Sequence, residues 1–217
     1  MKGHITRRKF LKGAAIAGAG LALPLKFGAR NAYAYSQSPA LAKFVAPMRD
    51  VTAGGIPIAA SDGLGTYAPV HYSITIEQFE DHLHPSLPNP TRLWGYRPSN
   101  VVSGSNKHLG GIIVASRGTP VQITATNTLP ANHIIPVDHT IMGAEVGQPM
   151  NKATIHLHGG LVPWVSDGGP HSWFDPNGNY GSSVILPSSP FNIYKAVNGG
   201  VGNGQAEYYY PNMQGAR

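Results

Sequence analysis

Residues 70–78 run Val-His-Tyr-Ser-Ile-Thr-Ile-Glu-Gln, an alternation that places Tyr72, Ile74 and Ile76 on one face of an extended segment. The same period returns at 121–127, where Val121, Ile123 and Ala125 alternate with Gln122, Thr124 and Thr126. Residues 111–116 read as a strand, divided from 121–127 by the turn Arg117-Gly118-Thr119-Pro120. Residues 153–158 and 205–210 read as two more strands. Pro85, Pro88, Pro90 and Pro98 predict irregular chain from 85 to 98, because proline fixes φ and donates no hydrogen bond. Residues 36–61 are polar apart from 41–45 and suggest a wrapping arm. Residues 175–204, rich in Gly, Asn, Ser and Pro, predict a long inserted loop. No amphipathic helix of useful length and no internal repeat is visible beyond residue 34. Short alternating strands joined by turns predict an all-β chain folded as a Greek-key β-sandwich.

Composition agrees: 27 glycines and 19 prolines in 217 residues suit many turns. The net charge of +6 suggests nucleic acid until its distribution is read. Lys2, Arg7, Arg8, Lys9, Lys12, Lys26 and Arg30 fall in residues 1–34 with no acid among them. Nine cations and ten acids remain beyond, so no basic patch for nucleic acid is implied. Thr6-Arg7-Arg8-Lys9-Phe10-Leu11-Lys12 matches the twin-arginine export pattern. A mild apolar run over 13–25 and the small-residue site Ala32-Tyr33-Ala34 follow. The expectation is a signal peptide over 1–34, handled by the twin-arginine translocase, with a periplasmic or extracellular destination. The apolar run is too short for a stable membrane anchor. There is no cysteine, which excludes disulfides and thiolate-bound metal within this chain.

The chemistry concentrates at His156-Leu157-His158-Gly159-Gly160. In an extended chain the two histidines share one face, with Cα atoms roughly 6.5–7 Å apart. That span suits neighbouring imidazoles that serve two adjacent ions better than a grip on one. Imidazole is a ligand for copper, zinc, iron and nickel. Ten histidines would give roughly half an His-x-His pair by chance, and His82-Leu83-His84 is a second one. Spacing alone leaves both the ligand and the structural reading open.

The wider motif adds Pro163, Ser166-Asp167-Gly168, Pro170-His171 and Trp173-Phe174. Together these residues resemble the first copper motif of the multicopper oxidases, in particular the bacterial laccase group that includes the spore-coat laccase. Leu41-Ala42-Lys43-Phe44-Val45, Pro90-Thr91-Arg92-Leu93-Trp94-Gly95-Tyr96, Asn127-Thr128-Leu129-Pro130, Pro136-Val137-Asp138-His139-Thr140 and Tyr210-Pro211-Asn212 resemble the group in the same order. The resemblance implies a cupredoxin-like sandwich, with 35–217 as the first plastocyanin-like domain of an oxidase, incomplete at its C-terminal end. It implies that His156 ligates the type 2 copper and His158 one of the type 3 coppers of a trinuclear cluster. Asp167 would be the catalytic acid that orients water and feeds protons during oxygen reduction, although an Asp-Gly pair is also a common turn. His82 and His84 would be structural, as would His133, His139 and His171 in loops. Trp94, Trp164 and Trp173 would be packing residues.

This sequence departs from that family in having no Cys for a type 1 copper and no His-x-His beyond residue 158. The implied parent takes electrons from phenols, aromatic amines or metal ions and passes them to O₂; this chain alone is expected to be inactive. The alternatives are a non-catalytic copper- or zinc-binding module and a structural cupredoxin-like periplasmic domain.

Overall fold

A computed structural model describes residues 40–51, 55–65, 68–103, 108–186, 200–202 and 204–215. The expected signal peptide lies outside the described residues, as do 187–199 of the expected loop. Among the described residues there is no α-helix, and the regular structure is β. The all-β reading holds.

Seven strands form among the described residues: β1 (Ile58–Ala59), β2 (Val70–Asp81), β3 (Thr91–Pro98), β4 (Val101–Ser103), β5 (Val121–Asn127), β6 (Gly200–Gly202) and β7 (Gln205–Tyr210). One five-stranded sheet has the order β3-β2-β5-β7-β6; β1 and β4 pair separately. β2 runs parallel to β5 and every other neighbour is antiparallel. The register aligns the apolar sets: Tyr72, Ile74 and Ile76 lie beside Ile123, Ala125 and Asn127, and Ile123 and Ala125 lie beside Tyr208 and Ala206. All of these are buried. Ala59, Leu129 and fully enclosed Phe174 pack on that face, with Ile155, Leu157 and Val162 around them. Two layers enclose one core, consistent with a sandwich of the cupredoxin type.

The opposite face of the sheet is polar but not bare. Gln122 is buried there and donates to Glu207 (3.2 Å), under a close approach of Gly65. His71 bridges Asp62 (3.2 Å) and the Thr124 hydroxyl (2.9 Å). Thus β5 breaks the simple alternation at Gln122 because the 60–65 segment covers it.

Three expected elements differ. Residues 91–98 form β3 rather than irregular chain; Pro90 and Pro98 only flank or end it. β3 is also an edge strand, where a missing donor is tolerated. Residues 111–116 make a single rung, with Ala59 N–H on Ile112 O (2.9 Å) and Ile112 N–H on Pro57 O (2.8 Å). The two-residue β1 offers no longer ladder, and the chain enters through positive φ at Leu109 and Gly110. Among the described residues, 153–158 pair only at Ala153, which exchanges two 2.9 Å bonds with Phe174. The partner segment then turns away, with Ser172 N–H on Gly169 O (2.9 Å), so no ladder reaches the histidines. The described start of the expected loop is a tight turn, in which the enclosed Asp175 carboxylate accepts from the N–H groups of Asn177 (2.9 Å) and Asn179 (2.8 Å).

Candidate metal centre

The histidine segment starts from a buried amide network. Asn127, at the end of β5, donates to Asn151 O (2.8 Å) and Phe174 O (3.0 Å), while Asn151 donates to Leu129 O (3.1 Å). Phe174 fills the core beneath, so the chain leaves Ala153 in a fixed direction. Ile155 N–H, which has no strand partner, donates to the Tyr208 hydroxyl (3.1 Å). Burial pushes the Tyr208 hydroxyl pKa upward, so this group stays a neutral phenol at ordinary pH. Leu157 turns toward the core and the flanking histidines turn outward.

The His156 and His158 ring centroids are 5.8 Å apart, with planes inclined by 80°. The rings therefore stand side by side on the surface rather than diverging. His156 Nδ1 lies 2.5 Å from the main-chain oxygen of Asp167 and 3.4 Å from Asp167 Oδ1. A carbonyl oxygen only accepts, so Nδ1–H donates and the neutral ring keeps its lone pair on Nε2. The side chains of His156 and Asp167 are 48% and 51% exposed, so the carboxylate is open to water. Asp167 closes a short 3₁₀ turn, Trp164–Ser166, and its N–H bonds Trp164 O (3.2 Å).

All three singled-out residues, His156, His158 and Asp167, are thus brought to one surface. Among the described residues no three His, Cys, Asp or Glu side chains converge as a closed metal set. Two neutral imidazoles fit a borderline or soft transition ion in kind, but supply only part of a coordination shell.

The remaining histidines are mostly tied to main chain. His82 and His84 donate through Nε2 to Leu87 O (2.8 Å) and Ala42 O (3.0 Å), and His84 Nδ1 accepts from Ser86 N–H (3.0 Å). His133 and His139 bond Ile135 and Ala144 in loops. Trp94 packs at the core edge against His133, and Lys152 sits over Trp173 (5.1 Å). Trp164 is the exception among the tryptophans: it is exposed, because the turn that carries it presents Ser166 to the interior instead. Ser166, Gly168 and Tyr208 build the site without having been singled out for chemistry in the sequence. Their signal was the run Ser166-Asp167-Gly168 and the alternation in β7.

Similarity to known proteins points the same way. A laccase of Bacillus subtilis is 39% identical over 106 residues, covering 48% of this chain and 19% of that protein. A laccase of Haloferax volcanii is 30% identical over 182 residues, covering 80% of this chain and 28% of that protein. A multicopper oxidase of Oryza sativa subsp. japonica is 33% identical over 130 residues, covering 60% of this chain and 21% of that protein. The chain is a multicopper oxidase relative. It spans between 19% and 28% of the length of these three proteins. Among solved structures, a laccase from Pediococcus acidilactici aligns with a TM-score of 0.35 at 18% identity, over 79% of this chain and 29% of that one. Residues 4–24 match the model of the twin-arginine translocation pathway signal sequence. The chain therefore carries the signal for twin-arginine export to the periplasm or the exterior, as its opening residues predict. Among the described residues, no helix is long and apolar enough to cross a membrane.

Proposed function

We propose that this chain is the N-terminal part of a laccase-like multicopper oxidase and contributes its first pair of histidine ligands. The observation that carries the reading is the side-by-side placement of the two imidazoles, 5.8 Å apart, with the His156 donor atom Nε2 left free. His156 would hold a type 2 copper and His158 one of a type 3 pair, each serving a different ion. Copper, when bound, supplies the one-electron chemistry that couples oxidation of a phenolic or similar reductant to reduction of O₂ to water. Asp167 Oδ1, half exposed and 3.4 Å from His156 Nδ1, would hold and hand on protons that this reduction consumes.

The first plastocyanin-like domain would then be residues 35–217, after a leader of 1–34. Two imidazoles do not complete three copper sites, and with no cysteine the chain has no thiolate for a type 1 copper. On its own it should hold copper weakly and turn nothing over. The test is to load the chain with copper(II) and follow oxidation of a phenolic dye against free copper. Turnover above that background would show that this stretch suffices as an enzyme. No copper uptake at His156 and His158 would remove the ligand reading.

A further inference from the structure

We propose that Ser166-Asp167-Gly168 is a positioning bracket, which locks the His156 ring in its Nδ1–H tautomer through the main-chain carbonyl of Asp167 rather than through its carboxylate. The proposal rests on the reading of His156 as a metal ligand and says what makes it one. Each of the three residues has a separate task.

Ser166 anchors the bracket. Among the described residues, β6 pairs with β7 at Gln205 and Ala206, and no strand lies beside β7 on that edge beyond Ala206. The fully buried Ser166 hydroxyl meets that edge and accepts from Tyr209 N–H (2.9 Å). The serine thus satisfies a strand edge and fixes the height of the turn above β7.

Gly168 allows the approach. Its φ is +74°, and a Cβ there would lie 2.2 Å from Ile155 O and 3.1 Å from His156 Cα. Only glycine lets the turn lie against the histidine backbone. The Tyr208 hydroxyl accepts from Ile155 N–H (3.1 Å). Ile155, the residue that precedes His156, is therefore bonded at its N–H and closely approached at its carbonyl.

Asp167 supplies the contact. Its main-chain oxygen is the nearer acceptor for Nδ1, at 2.5 Å against 3.4 Å for Oδ1. A ring that is 48% exposed would otherwise rotate and exchange tautomers. Bonding to the carbonyl confines the proton to Nδ1 and presents Nε2 outward. Outer partners of this kind commonly change metal affinity by about 10–100-fold.

The experiment uses the full chain with nitrogen-15-labelled histidine, metal-free, at about pH 8, above the usual imidazole pKa of about 6.5. Long-range proton–nitrogen correlation reads each tautomer, and His156→Ala assigns the signal. Wild type and Asp167→Asn should both show His156 as Nδ1–H. Gly168→Ala and Ser166→Ala should show tautomer exchange and bind zinc(II) about 10–100-fold more weakly. A wild-type His156 protonated on Nε2 would overturn the bracket. So would loss of the Nδ1–H signal in Asp167→Asn, which would assign the role to the carboxylate. Retention of both tautomer and zinc affinity in Gly168→Ala and Ser166→Ala would overturn it too. Should Gly168→Ala fail to fold, the wild-type and Asp167→Asn spectra still decide. The expected tautomers with no metal uptake at all would uphold the bracket and defeat the ligand reading, so the two failures are distinguishable.

Discussion

The chain contains two His-Leu-His triplets of identical spacing, and their surroundings differ. At 82–84 both Nε2 atoms donate to main-chain carbonyls, and Nδ1 of His84 also accepts from Ser86. Those rings act as staples, joining the end of β2 to the turn after it and to Ala42. At 156–158, among the described residues, the one ring-to-main-chain bond is on the Nδ1 side of His156, and the two rings stand edge-on with centroids 5.8 Å apart. Which nitrogen a histidine has left for a metal, and whether that nitrogen faces a second ring, depends on what its neighbours engage. Spacing in sequence says nothing about which neighbours will be there.

The sharpest way to break this comparison is to add copper(II) and watch which histidines lose their resonances to paramagnetic broadening. Broadening should be confined to His156 and His158, and His156→Ala should abolish most of it. Substituting His82 or His84 with alanine should leave it unchanged. Broadening centred on 82–84 would reverse the assignment of the two pairs. A second, energetic test acts on the support beneath. Phe174 is fully enclosed and its main chain pairs with Ala153, so Phe174→Ala should cost about 3–5 kcal/mol in urea unfolding. Amide exchange should accelerate at 153–158 more than at 82–84, which hang from a different strand. Equal acceleration at both would mean that Phe174 supports the whole fold evenly.

Tyr208→Phe is a finer cut. It deprives Ile155 N–H of its acceptor while the ring still fills the core, and should cost about 1–3 kcal/mol. Because the grip on His156 loosens with it, its tautomer signal should broaden as well. Stability lost with no change at His156 would separate the tyrosine from the site. Tyr210→Phe serves as the control two residues on. Its hydroxyl is buried without a hydrogen-bond partner among the described residues, and its pKa is pushed up chiefly by burial. Removing an unsatisfied polar atom should leave stability unchanged or raise it by up to about 1 kcal/mol.

How far the sequence could be read follows from the range of the forces involved. β2, β5 and β7 were legible because burial of one face imposes a period of two on adjacent residues, and that signal is local. Residues 91–98 were misjudged because proline is forbidden only where a ladder needs its N–H. An edge position, set by strand order, removes that need. The failed strands at 111–116 and 153–158 show the converse: local pattern can suit a strand whose partner turns away after one rung. In the site, His156, His158 and Asp167 stood out by residue type and by likeness to a family motif. Ser166 and Tyr208 did not, since their roles depend on contacts 43 and 53 residues away in the chain.

The smallest effect concerns a third histidine, His71, which sharpens the contrast because both of its nitrogens are engaged, by Asp62 and Thr124. Glu207 lies beside Thr124 in register and is half-buried on the same face. Burial raises its pKa, while the Gln122 amide and His71 pull the other way less strongly. A carboxyl with a raised folded pKa ionises first in the unfolded chain. Its contribution is therefore favourable at low pH and is lost as pH rises from about 4.3 through the folded value. Glu207→Gln keeps an oxygen to accept from Gln122 and removes the buried charge. The variant should be the more stable protein at about pH 7, and the difference should vanish below about pH 4. Urea midpoints at the two pH values measure it. A variant that is less stable at about pH 7 would mean that the Glu207 charge is favourable where it lies, and that its partners on the outer face outweigh its burial. His156 and His158, on the far side of the sheet, should register neither outcome.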